Sequence, residues 1–159
     1  MLKIGNKPNI DLDLIDQNNN NVNLSKIDSK YLVIFFYPMD FTPGCTSQAC
    51  SYRDNISKFE ELGAKVFGVS SDSNDSHQNF SNTFKLNYPI LTDKDNTLRN
   101  IFCELNKDSL IDKIKARSIR STFILNSSKE IIEVWEKVDP SSDSSYVIEY
   151  LKTITHDSL

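Results

Sequence analysis

The side chains that most directly suggest covalent chemistry are the three cysteines, Cys45, Cys50 and Cys103, of this 159-residue chain. Cys45 follows Pro43 and Gly44 in a rigid loop and stands where the sequence predicts the start of a helix. A helix start presents unpaired backbone N–H groups and a partial positive charge, and both stabilise a thiolate. The position of Cys45 therefore predicts a reactive nucleophile, with a structural thiol as the alternative.

The five-residue spacing between Cys45 and Cys50 limits what the pair can do. On an intact helix, residues five apart have Cα atoms about 8.7 Å apart, whereas a disulfide needs a Cα separation below about 7 Å. The two can therefore bridge only if the first turn or two of the helix unwinds. The sequence predicts a local structural change linked to oxidation, and burial of Cys50 as a small hydrophobic side chain is the alternative.

Cys103 and the two histidines have less specific signals. Cys103 follows Ile101 and Phe102, so we interpret it as a core or loop thiol, with a secondary redox role as the alternative. The cysteines and histidines do not have the Cys-x-x-Cys or His-x3-His spacing of a zinc site, so no metal is predicted. His77 and His156 lie on polar segments, and we expect both to be exposed to solvent and neither to act as a general base.

Composition and charge exclude other classes of protein. Lys and Arg total 18 against 22 Asp and Glu, a net charge of −4, and no basic block could follow a nucleic-acid backbone. The longest apolar stretch, Tyr31–Pro38, is much shorter than the roughly 20 residues of a membrane-spanning helix. The N-terminus shows no secretory signal, which favours a cytoplasmic protein with free thiols. We predict one domain over residues 1–159, without nucleic-acid or membrane partners.

Hydrophobic periodicity predicts an alternation of strands and helices. Tyr31–Tyr37 is a continuous apolar run, typical of a strand covered on both faces. Apolar residues three and four apart predict an amphipathic helix over Thr46–Leu62, ended by Gly63. The other predicted elements are strands over 65–70, 88–91, 121–125 and 131–137, helices over 76–86, 96–102 and 146–155, a hairpin around Asn18–Asn21, and a surface loop over Asp139–Ser145. This order predicts a mixed α/β sheet with helices on both faces.

Arg117 and Arg120 precede the strand predicted over 121–125. A guanidinium at the start of a strand can reach over an active-site loop and stabilise an anionic sulfur. A surface salt bridge is an equally consistent interpretation of the spacing.

The segment Pro38–Cys45 resembles the Pro-x-x-x-Thr-x-x-Cys active-site loop of peroxiredoxins. The second cysteine, five residues later, is similar to that of the PrxQ or bacterioferritin comigratory group, and Arg120–Ile124 resembles the family's Arg-x-Thr-Phe strand. The resemblance implies a thioredoxin-like fold, which is a mixed central sheet flanked by helices with an N-terminal β-hairpin. It also implies reduction of hydrogen peroxide and organic hydroperoxides, without a metal or organic cofactor.

The resemblance also implies a role for each matching residue. Cys45 would be the peroxidatic cysteine, which becomes a sulfenic acid, and Cys50 the resolving cysteine, which closes a Cys45–Cys50 disulfide. Thr42 and Arg120 would orient the peroxide and stabilise the thiolate. A dithiol donor such as thioredoxin would reduce the disulfide, and the group's members are expected to be monomers. The residues expected to support the pocket are Pro38, Pro43, Gly44, Gln48 and Arg53, the last two through the arginine.

Two other functions are consistent with parts of this pattern. A thiol-disulfide oxidoreductase could use the same fold, but it would be expected to carry the Cys-x-x-Cys motif that the chain lacks. A redox sensor or holdase could use the same unwinding to bind a partner, and its slower reaction with peroxide would distinguish it.

Overall fold

The apolar run Tyr31–Tyr37 forms an interior strand of the sheet in the computed structural model, which describes residues 1–116 and 119–157. The seven strands are β1 (Asp13–Asp16), β2 (Asn21–Asn23), β3 (Tyr31–Phe36), β4 (Ala64–Ser70), β5 (Ile90–Thr92), β6 (Ser121–Asn126) and β7 (Ile131–Trp135). The helices are α1 (Pro43–Asp54), α2 (Ile56–Glu61), α3 (Asn74–Phe84), α4 (Thr97–Cys103), α5 (Leu110–Ala116) and α6 (Asp143–Asp157). The strand order in the sheet is β2-β1-β5-β4-β3-β6-β7.

The strand β3 organises both halves of the core. It pairs with β4 in parallel and with β6 in antiparallel orientation, and all six of its side chains are buried. Successive side chains of a strand point to opposite faces, so β3 contributes to two hydrophobic clusters. Val33 and Phe35 pack with residues of α1, α2, α3 and α6, and Ile34 packs with residues of α4 and the N-terminal segment. The prediction of a mixed α/β sheet covered on both faces is confirmed.

The N-terminal hairpin also forms as the sequence predicts. Strands β1 and β2 pair antiparallel around the asparagine-rich turn, and Asn19 has a φ of 64°. The Asp16 carboxylate accepts hydrogen bonds from the backbone N–H groups of Asn18 and Asn20, at 2.8 and 3.0 Å. Asparagine tolerates positive φ better than most residues, and the Asp16 side chain satisfies the donors that the turn leaves free.

The predicted helix over Thr46–Leu62 is wrong in one respect, because the structure divides it into α1 and α2 at Asn55. Asn55 has φ −112° and ψ 8°, outside the helical region. Its side-chain amide donates to the carbonyl of Ser51 at 2.9 Å and to the hydroxyl of Ser144. Asparagine side chains compete with helical backbone bonds in this way, and apolar periodicity alone does not register the competition. Gly63, with φ 78°, ends α2 as predicted.

Other element boundaries differ from the predictions by a few residues. Helix α3 begins earlier because the Ser73 hydroxyl caps it, accepting from the backbone of Ser76 at 3.1 Å. Helix α6 begins at Asp143, inside the segment that was predicted as a surface loop. Helix α5 has no counterpart among the predicted elements, although Leu110, Ile111 and Ile114 have helical spacing; these three side chains are exposed, and Ala116 is the buried residue of the helix. Arg117 lies outside the described residues.

The extent of the sheet supports the prediction of one domain over residues 1–159, which stays a prediction. In the described part of the chain, none of the helices combines the length and the apolar character needed to cross a bilayer.

A substitution at Gly68 tests the packing of α1 on the sheet, because Gly68 lies against the Phe35 ring. An added Cβ at Gly68 would lie 2.8 Å from the Phe35 ring, and that ring stacks on Tyr52 of α1 with centroids 4.4 Å apart. Gly68→Ala should therefore displace the ring and lower the free energy of unfolding by about 1–3 kcal/mol, measured by urea denaturation. Combined with Phe35→Leu, it should lose less than the sum of the single effects. A Gly68→Ala variant as stable as wild type would contradict this packing.

Candidate active site

The loop that leaves β3 leads directly into α1, whose first turn carries the predicted nucleophile Cys45. Thr42 is the N-cap residue of α1, and Pro43 occupies the first helical turn, where its fixed φ fits and its missing N–H costs nothing. Cys45 lies in the same turn and is 1% exposed. The predicted position of this thiol at a helix start is therefore confirmed.

Antiparallel pairing brings Arg120 to the same place. Ser121, the first residue of β6, pairs with Phe36, the last residue of β3, so the residue before β6 lies beside the loop that follows β3. The Arg120 guanidinium donates one hydrogen bond to Cys45 Sγ at 3.3 Å and another to Gln48 Oε1 at 2.6 Å. Such a charge-assisted bond is strongest when the sulfur is a thiolate.

Gly44 leaves space for this guanidinium. A Cβ at Gly44 would lie 3.2 Å from Arg120 Nη2 and 3.5 Å from the Pro140 ring. A larger residue would press on the guanidinium that donates to Cys45, so the glycine is suited to close approach of the arginine.

The Gln48 amide connects Arg120 to a buried carboxylate that sequence reasoning missed. Gln48 Nε2 donates to Asp143 Oδ2 at 3.0 Å. The same oxygen accepts from the Tyr52 hydroxyl at 2.6 Å and from the Thr122 hydroxyl at 2.8 Å. Burial raises the pKa of Asp143, and these three hydrogen bonds oppose the increase. Asp143 lies in a Ser/Asp-rich segment whose composition is that of a solvated loop, so no local signal marked it.

A second buried polar cluster holds the loop before α1. The Asp40 carboxylate accepts from the hydroxyl of Tyr37 at 2.6 Å and from the hydroxyl of Ser76 at 2.8 Å. The backbone N–H of Asp40 donates to Asp72 Oδ2 at 2.8 Å. Because Tyr37 and Asp40 are on the loop while Ser76 is on α3, these bonds fix the loop to that helix.

The prediction that His77 is exposed is wrong. Its side chain is fully buried, and Nδ1 lies 2.7 Å from Asp40 Oδ2. His77 is three residues before Phe80, so both lie on the face of α3 that packs on the sheet. Ligand atoms of Asp40, Asp72 and His77 lie within 4.8 Å of one another, but these groups are already engaged in hydrogen bonds that support the loop. The backbone of His156 is part of α6, but the structure does not describe its side chain, so the expectation for this histidine is not tested.

Phe41 gives the loop an apolar contact with α3. Its backbone has φ 66°, unusual for a large side chain, and its ring packs on Phe80 and Phe84, with centroids 5.1 and 6.1 Å away. Met39 and Phe41 remain 54% and 47% exposed. The loop therefore presents apolar surface just before the nucleophile.

The structure places three more of the residues to which the resemblance assigns a role. The Thr42 hydroxyl donates to the carbonyl of Met39 at 3.0 Å, and Pro38 is half-buried directly after β3. Arg53 donates to the carbonyl of Phe84 at 2.6 Å and pairs with Asp54 at 2.9 Å. Arg53 thus joins α1 to the end of α3, and its hydrogen bonds in the described structure do not include Arg120 or Gln48.

The other two thiols differ in accessibility. Cys50 is half-buried on α1, and the helix is continuous between it and Cys45. Cys103 is buried at the end of α4, and burial raises its pKa, although a hydrogen bond with Ser121 opposes the shift. All three cysteines are free in the structure. The interpretation of Cys103 as a core thiol agrees with its burial.

Comparison with known proteins identifies the family. Residues 5–134 match the model of the AhpC/TSA family. Peroxiredoxin Bcp of Bacillus subtilis (strain 168) is 34% identical over 154 residues, which are 97% of this chain and 98% of that protein. The chloroplastic peroxiredoxin Q of Suaeda salsa is 49% identical over 86 residues, which span 54% of this chain but only 40% of that protein.

Solved structures agree with this match. Peroxiredoxin Q of Xanthomonas campestris superposes with a TM-score of 0.83 at 29% identity, covering 94% of this chain and 96% of that one. Peroxidoxin BcpB of Mycobacterium tuberculosis has a TM-score of 0.84 at 27% identity, covering 97% and 99%. Sequence and fold agree, and the chain belongs to the AhpC/TSA family as a peroxiredoxin of the Bcp/PrxQ group, a family of thiol-dependent peroxidases.

Proposed function

We propose that the chain reduces hydrogen peroxide and organic hydroperoxides with Cys45 as the peroxidatic nucleophile. The observation that carries this proposal is the contact of 3.3 Å between Arg120 Nη2 and Cys45 Sγ at the start of α1. A guanidinium and a helix N-terminus both stabilise a thiolate, which is the nucleophilic form of cysteine. A solved structure of the Xanthomonas campestris bacterioferritin comigratory protein concerns alkyl peroxide reduction, which supports organic hydroperoxides as substrates.

In the first step, the Cys45 thiolate attacks one oxygen of the peroxide. An S–O bond forms and the O–O bond breaks, so the sulfur is oxidised to a sulfenic acid. The other oxygen leaves as hydroxide or alkoxide and takes up a proton to give water or an alcohol. Negative charge moves from sulfur to the leaving oxygen, so fixed donors from Arg120 and the backbone N–H groups of the first turn of α1 stabilise the transition state. The Thr42 hydroxyl donates to the carbonyl of Met39, and its oxygen is left as an acceptor for the O–H of the peroxide.

In the second step, Cys50 attacks the sulfenic sulfur of Cys45, an S–S bond forms and water leaves. Both cysteines lie on one continuous helix, so the bond requires α1 to unwind locally. The half-buried position of Cys50 supports this role, because a modest opening would expose it. An external dithiol then reduces the disulfide by exchange.

We further propose that this dithiol is thioredoxin or a similar protein, that the chain acts as a monomer and that it is cytoplasmic. The resemblance to the PrxQ group supports these assignments. Sedimentation of the reduced protein measures the oligomeric state, and recycling of the oxidised protein by thioredoxin in a coupled assay measures the reductant.

Cysteine variants test the proposed reaction. With a stoichiometric amount of hydrogen peroxide in a stopped-flow instrument, wild type should react rapidly and give a Cys45–Cys50 disulfide by peptide mass spectrometry. Cys45→Ser should not react, because the nucleophile is absent. Cys50→Ser should keep the fast first phase but form no intramolecular disulfide. Cys103→Ser is the matched control and should behave as wild type. A Cys45→Ser variant that reacts as fast as wild type would exclude peroxidase activity at this site and favour a binding or sensing function.

Oxidation should loosen α1 selectively. Amide hydrogen exchange of residues 45–50 should accelerate in the oxidised protein, because the disulfide is incompatible with an intact helix. Exchange in β3, which lies between β4 and β6 in the sheet, should stay slow. Unchanged protection of residues 45–50 after quantitative oxidation would contradict a Cys45–Cys50 bond.

Cys103 should be chemically inert in the folded protein. Burial raises its pKa and limits access, so its alkylation by iodoacetamide at neutral pH should be about tenfold or more slower than that of Cys50. In denaturant the two rates should become similar. Rapid native alkylation of Cys103 would revive the alternative that it is a second redox thiol.

A further inference from the structure

Asp143 is a buried carboxylate with an unusual concentration of donors on one atom. The side chain is in the first turn of α6 and only 2% exposed. Its Oδ2 atom accepts hydrogen bonds from the hydroxyls of Tyr52 and Thr122 and from the amide of Gln48. The carboxylate thus joins three elements, α1, β6 and α6, immediately behind the residues that contact Cys45.

The chemistry of these groups fixes the orientation of the Gln48 amide. Arginine can only donate hydrogen bonds and an ionised carboxylate can only accept them, whereas a glutamine amide does both. With Asp143 on one side, Gln48 must turn its NH2 group toward the carboxylate and its oxygen toward the guanidinium. This is the arrangement seen, with Gln48 Oε1 2.6 Å from Arg120 Nη1.

We propose that Asp143 is a positioning residue for the peroxide reaction, which acts through the Gln48 amide to hold the Arg120 guanidinium against Cys45. The proposal rests on the proposed function of Cys45 as the peroxidatic nucleophile. Asp143 does not touch the reacting sulfur. Its effect is to keep an acceptor facing Arg120, so that the second nitrogen of the guanidinium is directed at Cys45.

A role limited to docking α6 can be separated from this one, because α6 has other contacts with α1. The hydroxyl of Ser144 bonds with that of Ser51 and accepts from the amide of Asn55. Ser144 is fully buried, like Asp143, but none of its described hydrogen bonds involves Gln48 or Arg120. Ser144→Ala therefore weakens the same helix contact without changing the orientation of Gln48.

Asp143→Asn should break the orientation while keeping the size of the side chain. A neutral amide oxygen binds donors more weakly than the ionised carboxylate oxygen on which three donors converge. The new NH2 group of the variant can donate to Gln48 Oε1, which allows the Gln48 amide to flip. A flipped amide turns its NH2 group toward Arg120, so that two donors face each other. The hydrogen bond from Arg120 Nη1 to Gln48 Oε1 is then lost, and the guanidinium is no longer held in place.

The test measures the second-order rate constant with hydrogen peroxide in full-length variants. Asp143→Asn should react about tenfold more slowly than wild type, as for loss of one charge-assisted hydrogen bond. Adding Gln48→Glu to Asp143→Asn should restore most of the rate. The glutamate accepts from Arg120 on one side and from the asparagine amide on the other, so each donor again faces an acceptor. The double variant has the same total charge as wild type.

A control variant and a measurement without peroxide separate positioning of Arg120 from a general loss of stability. Ser144→Ala should react within about twofold of wild type even if it lowers thermal stability as much as Asp143→Asn. Alkylation of Cys45 by iodoacetamide, followed by mass spectrometry, reports thiolate reactivity without peroxide and should show the same decrease and the same rescue.

Three results would overturn the proposal. They are a wild-type rate in Asp143→Asn, an equal loss in Ser144→Ala, and a loss that Gln48→Glu does not restore. Wild-type protein that does not react with peroxide at all would instead overturn the proposed function of Cys45, and the alkylation series would still decide whether Asp143 positions Arg120.

Discussion

The hydrogen bond from Arg120 to Cys45 is the interaction on which the arrangement of the site depends. Cys45 is only 1% exposed, so its sulfur has little contact with water and a charged form of it needs a fixed partner nearby. Arg120 provides that partner from the end of a loop 75 residues later in the chain. The planar guanidinium of Arg120 also donates to Gln48, so its orientation is set by two contacts and not by one.

The sheet delivers this arginine to the thiol. Strand β3 ends at Phe36 and β6 begins at Ser121, and the antiparallel register sets these two residues side by side. This register therefore places Arg120, the residue before β6, next to the loop that follows β3. Behind them, two buried carboxylates with different tasks hold the elements together: Asp40 fixes the loop to α3, and Asp143 joins α1, β6 and α6.

The helix α1 has to satisfy opposing requirements in the proposed cycle. Its folded first turns hold Cys45 next to Arg120 for the reaction with peroxide, whereas a bond to Cys50 requires the same turns to unwind. Contacts on the buried face of α1, including the Tyr52 ring on Phe35 and the Gln48 bond to Asp143, favour the folded form. The break at Asn55 separates α1 from α2, so unwinding of the first segment does not have to disturb the second.

The sequence by itself determined the features that depend on short-range pattern. The apolar run of β3, the asparagine turn at Asn19 and the helix start at Cys45 follow from local residue preferences, and each was predicted correctly. The residues around Cys45 were named from a resemblance, and their individual roles stay predictions. The sequence could not determine the burial of Asp143 and His77. Both belong to polar segments, and their partners, Gln48 and Asp40, lie 95 and 37 residues away in the chain. A buried polar group is stable only with such partners, and only the tertiary structure decides which distant side chains supply them.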